Sequence, residues 1–193
     1  MGNYSSGKMG YAIAEELAEQ GAEVILVSGP VSVSIQKEEI KVIPVESAQE
    51  MYQACIEHFP ECDGAVMTAA VADFTPLNQE IHKTKRGKEN WNIELKPTKD
   101  IAAELGKMKK ENQILVGFAL ETINEETNAQ KKLEKKNLDF IVLNSLNDAG
   151  AGFGVDTNKI TIIGKNNKTV PFELKSKKEV AADIVKMMIS ILR

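Results

Sequence analysis

Histidine and cysteine are scarce in this chain of 193 residues: His58, His82, Cys55 and Cys62 are all there is. Their spacing matches no structural zinc set. Cys55 falls on the apolar face of a predicted helix and reads as a plain buried thiol. No apolar run approaches the roughly 20 residues of a membrane span. No basic stretch leads into an apolar segment at the start, so the sequence reads as cytoplasmic. An excess of positive charge is also missing. The net charge of -4 argues against general nucleic-acid binding, which needs a basic surface to displace counterions. No G-x-G-x-x-G occurs anywhere, which weakens a dinucleotide-binding reading. A phosphate-binding P-loop is incomplete around Gly7 and Lys8: its first glycine is absent, and Met9 stands where Ser or Thr would bind magnesium. The remainder is ordinary. Hydrophobic residues at 42% and charged residues at 27% describe a globular protein and exclude a disordered or collagen-like one. The length fits one domain with a full core.

Apolar positions Met9, Ala12, Ile13 and Leu17 mark one face of a first helix, ended by Gly21. The runs Val24 to Val27 and Ile40 to Val45 read as buried parallel strands. Ser47 with Glu50 forms a capping box for a helix through Phe59. Ala65 to Thr68 is the next strand, followed by small residues. Residues 74–90 have no periodicity and carry Lys83, Lys85, Arg86 and Lys88, which predicts a flap. "WNIELKP" reads as a short strand, Thr98 as a helix N-cap and Ile114 to Phe118 as a strand. A helix from Glu125 to Asn137 and the strand "DFIVLN" follow. "KITIIGKNNKTVPFEL" predicts a hairpin turning at Asn166 and Asn167, before a final helix over about 177–192. The alternation implies an α/β fold: three-layer, Rossmann-like, with a mostly parallel sheet, helices on both faces and a C-terminal β-hairpin. The loops after Val27, Thr68 and Phe118 and the start of the first helix should converge on one cleft. In such sheets a central strand normally precedes the first helix, yet only Met1 to Tyr4 stand before it. Either that strand is missing from the chain or another segment takes its place.

Ser5, Ser6, Gly7 and Lys8 offer an anion free N–H groups at a helix start, hydroxyl donors and close approach at glycine. The alternative is a simple capped helix. Asp73, just past a strand end, suits a ribose hydroxyl, a base amine or magnesium; alternatively it is a cap or surface aspartate. Lysines on a flap beside a cleft can close over a triphosphate and stabilise charge at the transferring phosphorus. Lys132 and Lys136, with Lys131 and Lys135, have the spacing of a solvated helix face. Phe118 reads as core or as a base-stacking platform.

Together, "NYSSGKMG", "AAVADF", "KTK", "VGFALET" and "KKNLD", in this order, resemble the phosphopantothenoylcysteine synthetase family over nearly the whole chain. The resemblance implies ligation of 4'-phosphopantothenate to cysteine. The pantothenate carboxylate attacks the α-phosphorus of a nucleoside triphosphate, pyrophosphate leaves, and cysteine's amine then displaces the nucleotide monophosphate. By motif match Asn3 stabilises the acyl intermediate and Lys83 assists its formation. The nucleotide positions are Met67, Thr68, Ala69, Asp73, Lys83, Thr98, Lys99, Asp100, Ile101, Phe118, Lys132 and Lys136. Ser5, Ser6, Gly7 and Lys8 form the substrate and phosphate loop. The resemblance is to bacterial members, which implies CTP ahead of ATP, with Mg2+ as cofactor and no assigned metal ligand. It further implies a homodimer whose flap and final strands supply the interface, no nucleic-acid or membrane partner, and association or fusion with a phosphopantothenoylcysteine decarboxylase. Residues 1–193 are expected to form a single synthetase domain without the family's first strand and glycine-rich turn. Two rivals make different demands: a nicotinamide-dependent oxidoreductase needs the absent glycine fingerprint, and a nucleic-acid module using residues 82–88 needs steep salt dependence.

Overall fold

The alternating strands of the second half fold as a layered sheet in the computed structural model, which describes residues 5–78, 85, 92–121, 125–145, 156–165 and 168–192. The first elements are helix α1 (Lys8–Glu19), strands β1 (Val24–Ser28) and β2 (Ile40–Pro44), helix α2 (Ala48–His58) and strand β3 (Gly64–Met67). Two short strands follow, β4 (Phe74–Pro76) and β5 (Leu95–Pro97), then α3 (Ile101–Met108), β6 (Ile114–Glu121), α4 (Glu125–Lys135) and β7 (Phe140–Ser145). The last elements are β8 (Thr157–Asn158), β9 (Ile160–Gly164), β10 (Thr169–Pro171), β11 (Lys175–Ser176) and α5 (Lys177–Leu192).

Five strands form the main sheet in the order β10-β9-β7-β6-β3. β3, β6 and β7 run parallel; β9 and β10 add the antiparallel C-terminal hairpin. Period-two alternation decides what each face buries. Ile114, Val116, Phe140, Val142, Ile160 and Ile162 pack with Ile13 of α1 and Val180, Ile184 and Met188 of α5. Leu115, Ile141, Leu143 and Ile163 point the other way, into a cluster with Met51 of α2, Leu105 of α3 and Leu133 of α4. Two apolar faces on one sheet require helices on both sides, and the three layers follow. β1 and β2 pair parallel as a separate two-stranded sheet. Among the described residues, no strand joins that pair to β3.

The Ser47 capping box is present: the Glu50 N–H donates to Ser47 Oγ at 3.2 Å, and the Ser47 N–H donates back to Glu50 Oε2 at 3.3 Å. Two local expectations are corrected. Phe74–Pro76 is a strand, paired antiparallel with Leu95–Pro97, although residues 74–90 carry no periodicity. Three residues are too few to show a period of two, and the partner is supplied from about 20 positions away. Thr98 is not the N-cap of α3. Its hydroxyl donates to the Ala72 carbonyl at 2.7 Å, and Asp100 caps instead, accepting from the Ala103 N–H at 3.1 Å. Both residue types can cap; the tertiary bond to Ala72 decides between them. The turn at Asn166 and Asn167 and most of the flap lie outside the described residues.

Cys55 packs half-buried against the core, and that burial pushes its thiol up to about 11. At pH 8 the folded protein should hold on the order of a hundredfold less Cys55 thiolate than an unperturbed cysteine. Alkylation of Cys55 by iodoacetamide is therefore expected to be far slower in the native protein than in urea. Equal rates in both, read by peptide mass, would refute this.

Candidate active site

The strand ends and the start of α1 converge as the topology requires. A cleft of about 540 Å³ is lined by Ser5–Gly10, Ser28–Val31, Thr68–Ala72 and Phe118–Leu120, with Thr98 at its edge. That volume suits a ligand the size of a nucleotide.

At the mouth of α1, Gly7 takes φ +74, a left-handed conformation that costs glycine little, and no side chain caps the helix. The two serines therefore do not occupy the helix's first N–H groups, which stay available to an anion. Gly10 brings α1 close to the end of β3, where a Cβ would meet Thr68 Oγ1 at 2.8 Å. The Tyr11 hydroxyl donates to Ser28 Oγ at 3.2 Å, tying α1 to the end of β1. Lys8 Nζ pairs with Asp156 Oδ1 at 2.5 Å, and that bond holds the Asp156 carboxyl below its ordinary range.

The expected site residues separate into three groups. Ser5, Ser6, Gly7, Lys8, Met67, Thr68, Ala69, Thr98 and Phe118 all line the cleft. Asp73, Lys99, Asp100, Ile101, Lys132 and Lys136 do not. Asp73 is exposed, and its carbonyl accepts from the Thr98 N–H at 2.9 Å. Lys99 Nζ sits over the Tyr52 ring, 4.2 Å from its centroid, and Ile101 is buried in the core. Lys136 pairs with Asp100 at 3.0 Å. Burial would raise the Asp100 carboxyl, but the Lys136 ammonium and the Ala103 N–H outweigh it and hold the group low. Lys132 lies on α4, one turn before Lys136, which follows the last residue of that helix. Asn3 and Lys83 lie outside the described residues.

Several polar residues of the same cleft are missing from the expected set, among them Asn144 at the end of β7, Asn158 in β8 and Lys177 at the start of α5. Asn144 was within reach of sequence reasoning, since it closes the strand "DFIVLN" at its carboxyl end, where ligands of α/β sheets gather. Among the described residues no three His, Cys, Asp or Glu side chains gather as a metal site, and no helix is long and apolar enough to cross a membrane.

This geometry has relatives. One protein, from an unknown prokaryotic organism and called a cysteine/cysteine sulfinic acid decarboxylase, is 60% identical over 190 residues, 98% of this chain and 53% of its own length. The coenzyme A biosynthesis bifunctional protein CoaBC of Bacillus subtilis strain 168 is 49% identical over 183 residues, 95% of this chain and 45% of that protein. The chain thus spans about half the length of these curated relatives. A crystal structure of the C-terminal domain of a CoaBC protein superposes with a TM-score of 0.83 at 42% identity, covering 100% of this chain and 86% of that one. A family model for the DNA/pantothenate metabolism flavoprotein C-terminal domain matches residues 1–192. With the fold, the relatives and a match of that length in agreement, the resemblance read from the motifs is borne out, and the chain belongs to the DNA/pantothenate metabolism flavoprotein C-terminal domain family.

Proposed function

We propose that residues 1–193 form a single phosphopantothenate–cysteine ligase domain of coenzyme A biosynthesis, acting in the cytoplasm through an acyl-CMP intermediate made from CTP. The observation that carries this reading is the convergence of the Ser5–Lys8 loop, the end of β3, Thr98 and Phe118 on one nucleotide-sized cleft. The bifunctional coenzyme A relative supports it. The other relative, called a cysteine/cysteine sulfinic acid decarboxylase, motivates a decarboxylase as the companion activity of the whole protein.

In the first step a carboxylate oxygen of 4'-phosphopantothenate attacks the α-phosphorus. The bond to the β-phosphate oxygen breaks, and pyrophosphate leaves with the electron pair. Attack of one anion on another needs cations and fixed donors, because the transition state concentrates negative charge at phosphorus. The open N–H groups at the start of α1 and the hydroxyls of Ser5 and Ser6 offer such donors. Lys83 is assigned the charge on the transferring and departing phosphates, and Asn3 the acyl intermediate. In the second step cysteine's amine attacks the acyl carbon, the acyl–phosphate bond breaks, CMP leaves, and the ammonium proton passes to solvent. Thr98 holds the Ala70–Asp73 segment against the cleft through its bond to Ala72. We assign the nucleoside to the wall of the cleft built by Met67–Ala69, Thr98 and Phe118, while Asp73, Lys99, Asp100, Ile101, Lys132 and Lys136, which lie outside the cleft's lining, are assigned to the nucleotide by the family resemblance alone. Mg2+ bound to the triphosphate would supply further positive charge at the phosphates, with several of its ligands remaining water. The chain is assigned a homodimeric state, with the flap and final strands at the interface.

The test omits cysteine. With Mg2+, CTP and 4'-phosphopantothenate the protein should release pyrophosphate, more slowly with ATP, and not without phosphopantothenate; Lys83→Ala should abolish the release. Pyrophosphate appearing without phosphopantothenate, or none appearing at all, would overturn the ligase reading.

A further inference from the structure

One wall of the cleft breaks ordinary rules of protein stability in three places. Asn158 is 3% exposed, and among the described residues its Oδ1 has no hydrogen-bond partner. Asn144 Oδ1 is likewise buried and unpartnered. An acceptor removed from water without a donor costs free energy in the empty protein. Lys177 is 9% exposed and opens α5, where the positive end of the helix dipole disfavours a cation. Burial pushes its ammonium down first, and Lys8 pushes it further down, while Asp156 only partly opposes them.

These three residues come from different elements, and the sheet brings them together. Asn144 is in register with Ile160 on β9, two positions after Asn158. Asn158 is in register with Lys175 of β11, and the Lys177 N–H donates to the Asp156 carbonyl at 2.9 Å. All three line the cleft, Asn144 from the end of β7, whereas the assigned nucleoside wall centres on β3, the strand on the other side of β6. Local violations that share one cavity are a mark of a binding site.

We propose that Asn144, Asn158 and Lys177 form a subsite for the acyl substrate, with the amide oxygens accepting from its hydroxyl and amide N–H groups and Lys177 holding its phosphate. The chemistry favours this ligand over the triphosphate of the nucleotide. Ionised triphosphate oxygens only accept, and would face two more acceptors; the chain of 4'-phosphopantothenate carries donors and an anion together. The assignment rests on the ligase reading for the identity of the ligand.

Calorimetric titration of the protein with 4'-phosphopantothenate and, separately, with Mg2+–CTP tests it. Asn158→Leu and Lys177→Met should weaken phosphopantothenate by roughly tenfold or more, with CTP affinity nearly unchanged. Asn158→Leu should melt at the same or a higher temperature, because it removes an acceptor that is costly to bury. A residue with only a structural role would instead lower the melting temperature and spare affinity. Asn144→Leu, on another strand, repeats the test should Asn158→Leu fail to fold. Undiminished phosphopantothenate binding in folded variants, or an equal loss of CTP, would overturn the subsite while leaving the ligase reading intact. If the unaltered protein binds CTP but not phosphopantothenate, the ligase reading fails and the subsite with it.

Discussion

Asp139→Ala is expected to cost about 3–5 kcal/mol of folding stability at pH 7, the range found when one partner of a buried ion pair is removed. Asp139 stands just before β7 and joins three parts of the fold. Its Oδ2 accepts from Lys109 Nζ at 2.8 Å and from the Leu115 N–H at 2.7 Å, and its Oδ1 accepts from Lys165 Nζ at 2.7 Å. Side-chain exposure is only 7% for Lys109 and 12% for Asp139, so the alanine variant strands a buried ammonium and orphans a strand N–H. Lys165 is 55% exposed and contributes much less. Burial by itself would raise the Asp139 carboxyl, but the bonds from Lys109, Lys165 and Leu115 overcome it and leave the group below its ordinary value. A depressed folded-state value means that the unfolded chain takes up a proton first as pH falls. The contribution is therefore fully present above the unfolded value near pH 4, and is lost as pH falls through the folded one. Urea unfolding of both proteins should show a wide gap at pH 7 that narrows below pH 4. A gap under 1 kcal/mol at pH 7, or one independent of pH, would show that the cluster is not what joins these strands.

The layered fold was legible because its signals are local. Continuous apolar runs marked β1, β6 and β7, and the Ser47 and Glu50 pair marked the start of α2. The cleft was legible too, since in a sheet whose parallel strands alternate with helices the ligand gathers at the strands' carboxyl ends. What escaped depends on contacts between distant residues. β4 exists through β5, and Thr98 gives up the cap for Ala72, so neither could be read from its own neighbourhood. Asn158 and Lys177 look in sequence like a polar residue before a strand and a solvated lysine on a terminal helix. Only the packing of β8, β11 and the start of α5 buries them. The split of the sheet has the same character. β3 is only partly buried along its length while Leu115 and Val116 of neighbouring β6 are fully buried, and Ile25 and Val42 of the β1–β2 pair are each 38% exposed.

Gly106→Ala should lower stability by about 2 kcal/mol, against the helix propensity that favours alanine by about 1 kcal/mol. Gly106 is an interior residue of α3, where a propensity argument alone would recommend the substitution. A Cβ at this position would overlap the Lys136 carbonyl oxygen and lie 2.8 Å from its carbon. The obstacle is backbone. The end of α4 is fixed by the Lys136 N–H to the Lys132 carbonyl at 3.0 Å and the Leu138 N–H to the Leu133 carbonyl at 3.0 Å. Between them Asn137 adopts φ 51, a conformation asparagine tolerates, and its Nδ2 donates to the Gly106 carbonyl at 2.9 Å. One helix must therefore move, and overpacking of this kind costs about 1–3 kcal/mol or more, enough to exceed the propensity gain. The expected fall in melting temperature is about 5 °C for a chain of this size. The consequence for function follows from the same contact. Moving α3 away from α4 pulls Asp100 from Lys136 and strains the bond from Thr98 to Ala72, so CTP affinity should fall along with stability. Gly29→Ala is the matched control for stability, because a Cβ there meets nothing within 4 Å. A Gly106→Ala protein as stable as the original would mean that α3 and α4 are loosely seated, and that Asp100 and Lys136 are not held in place by helix packing.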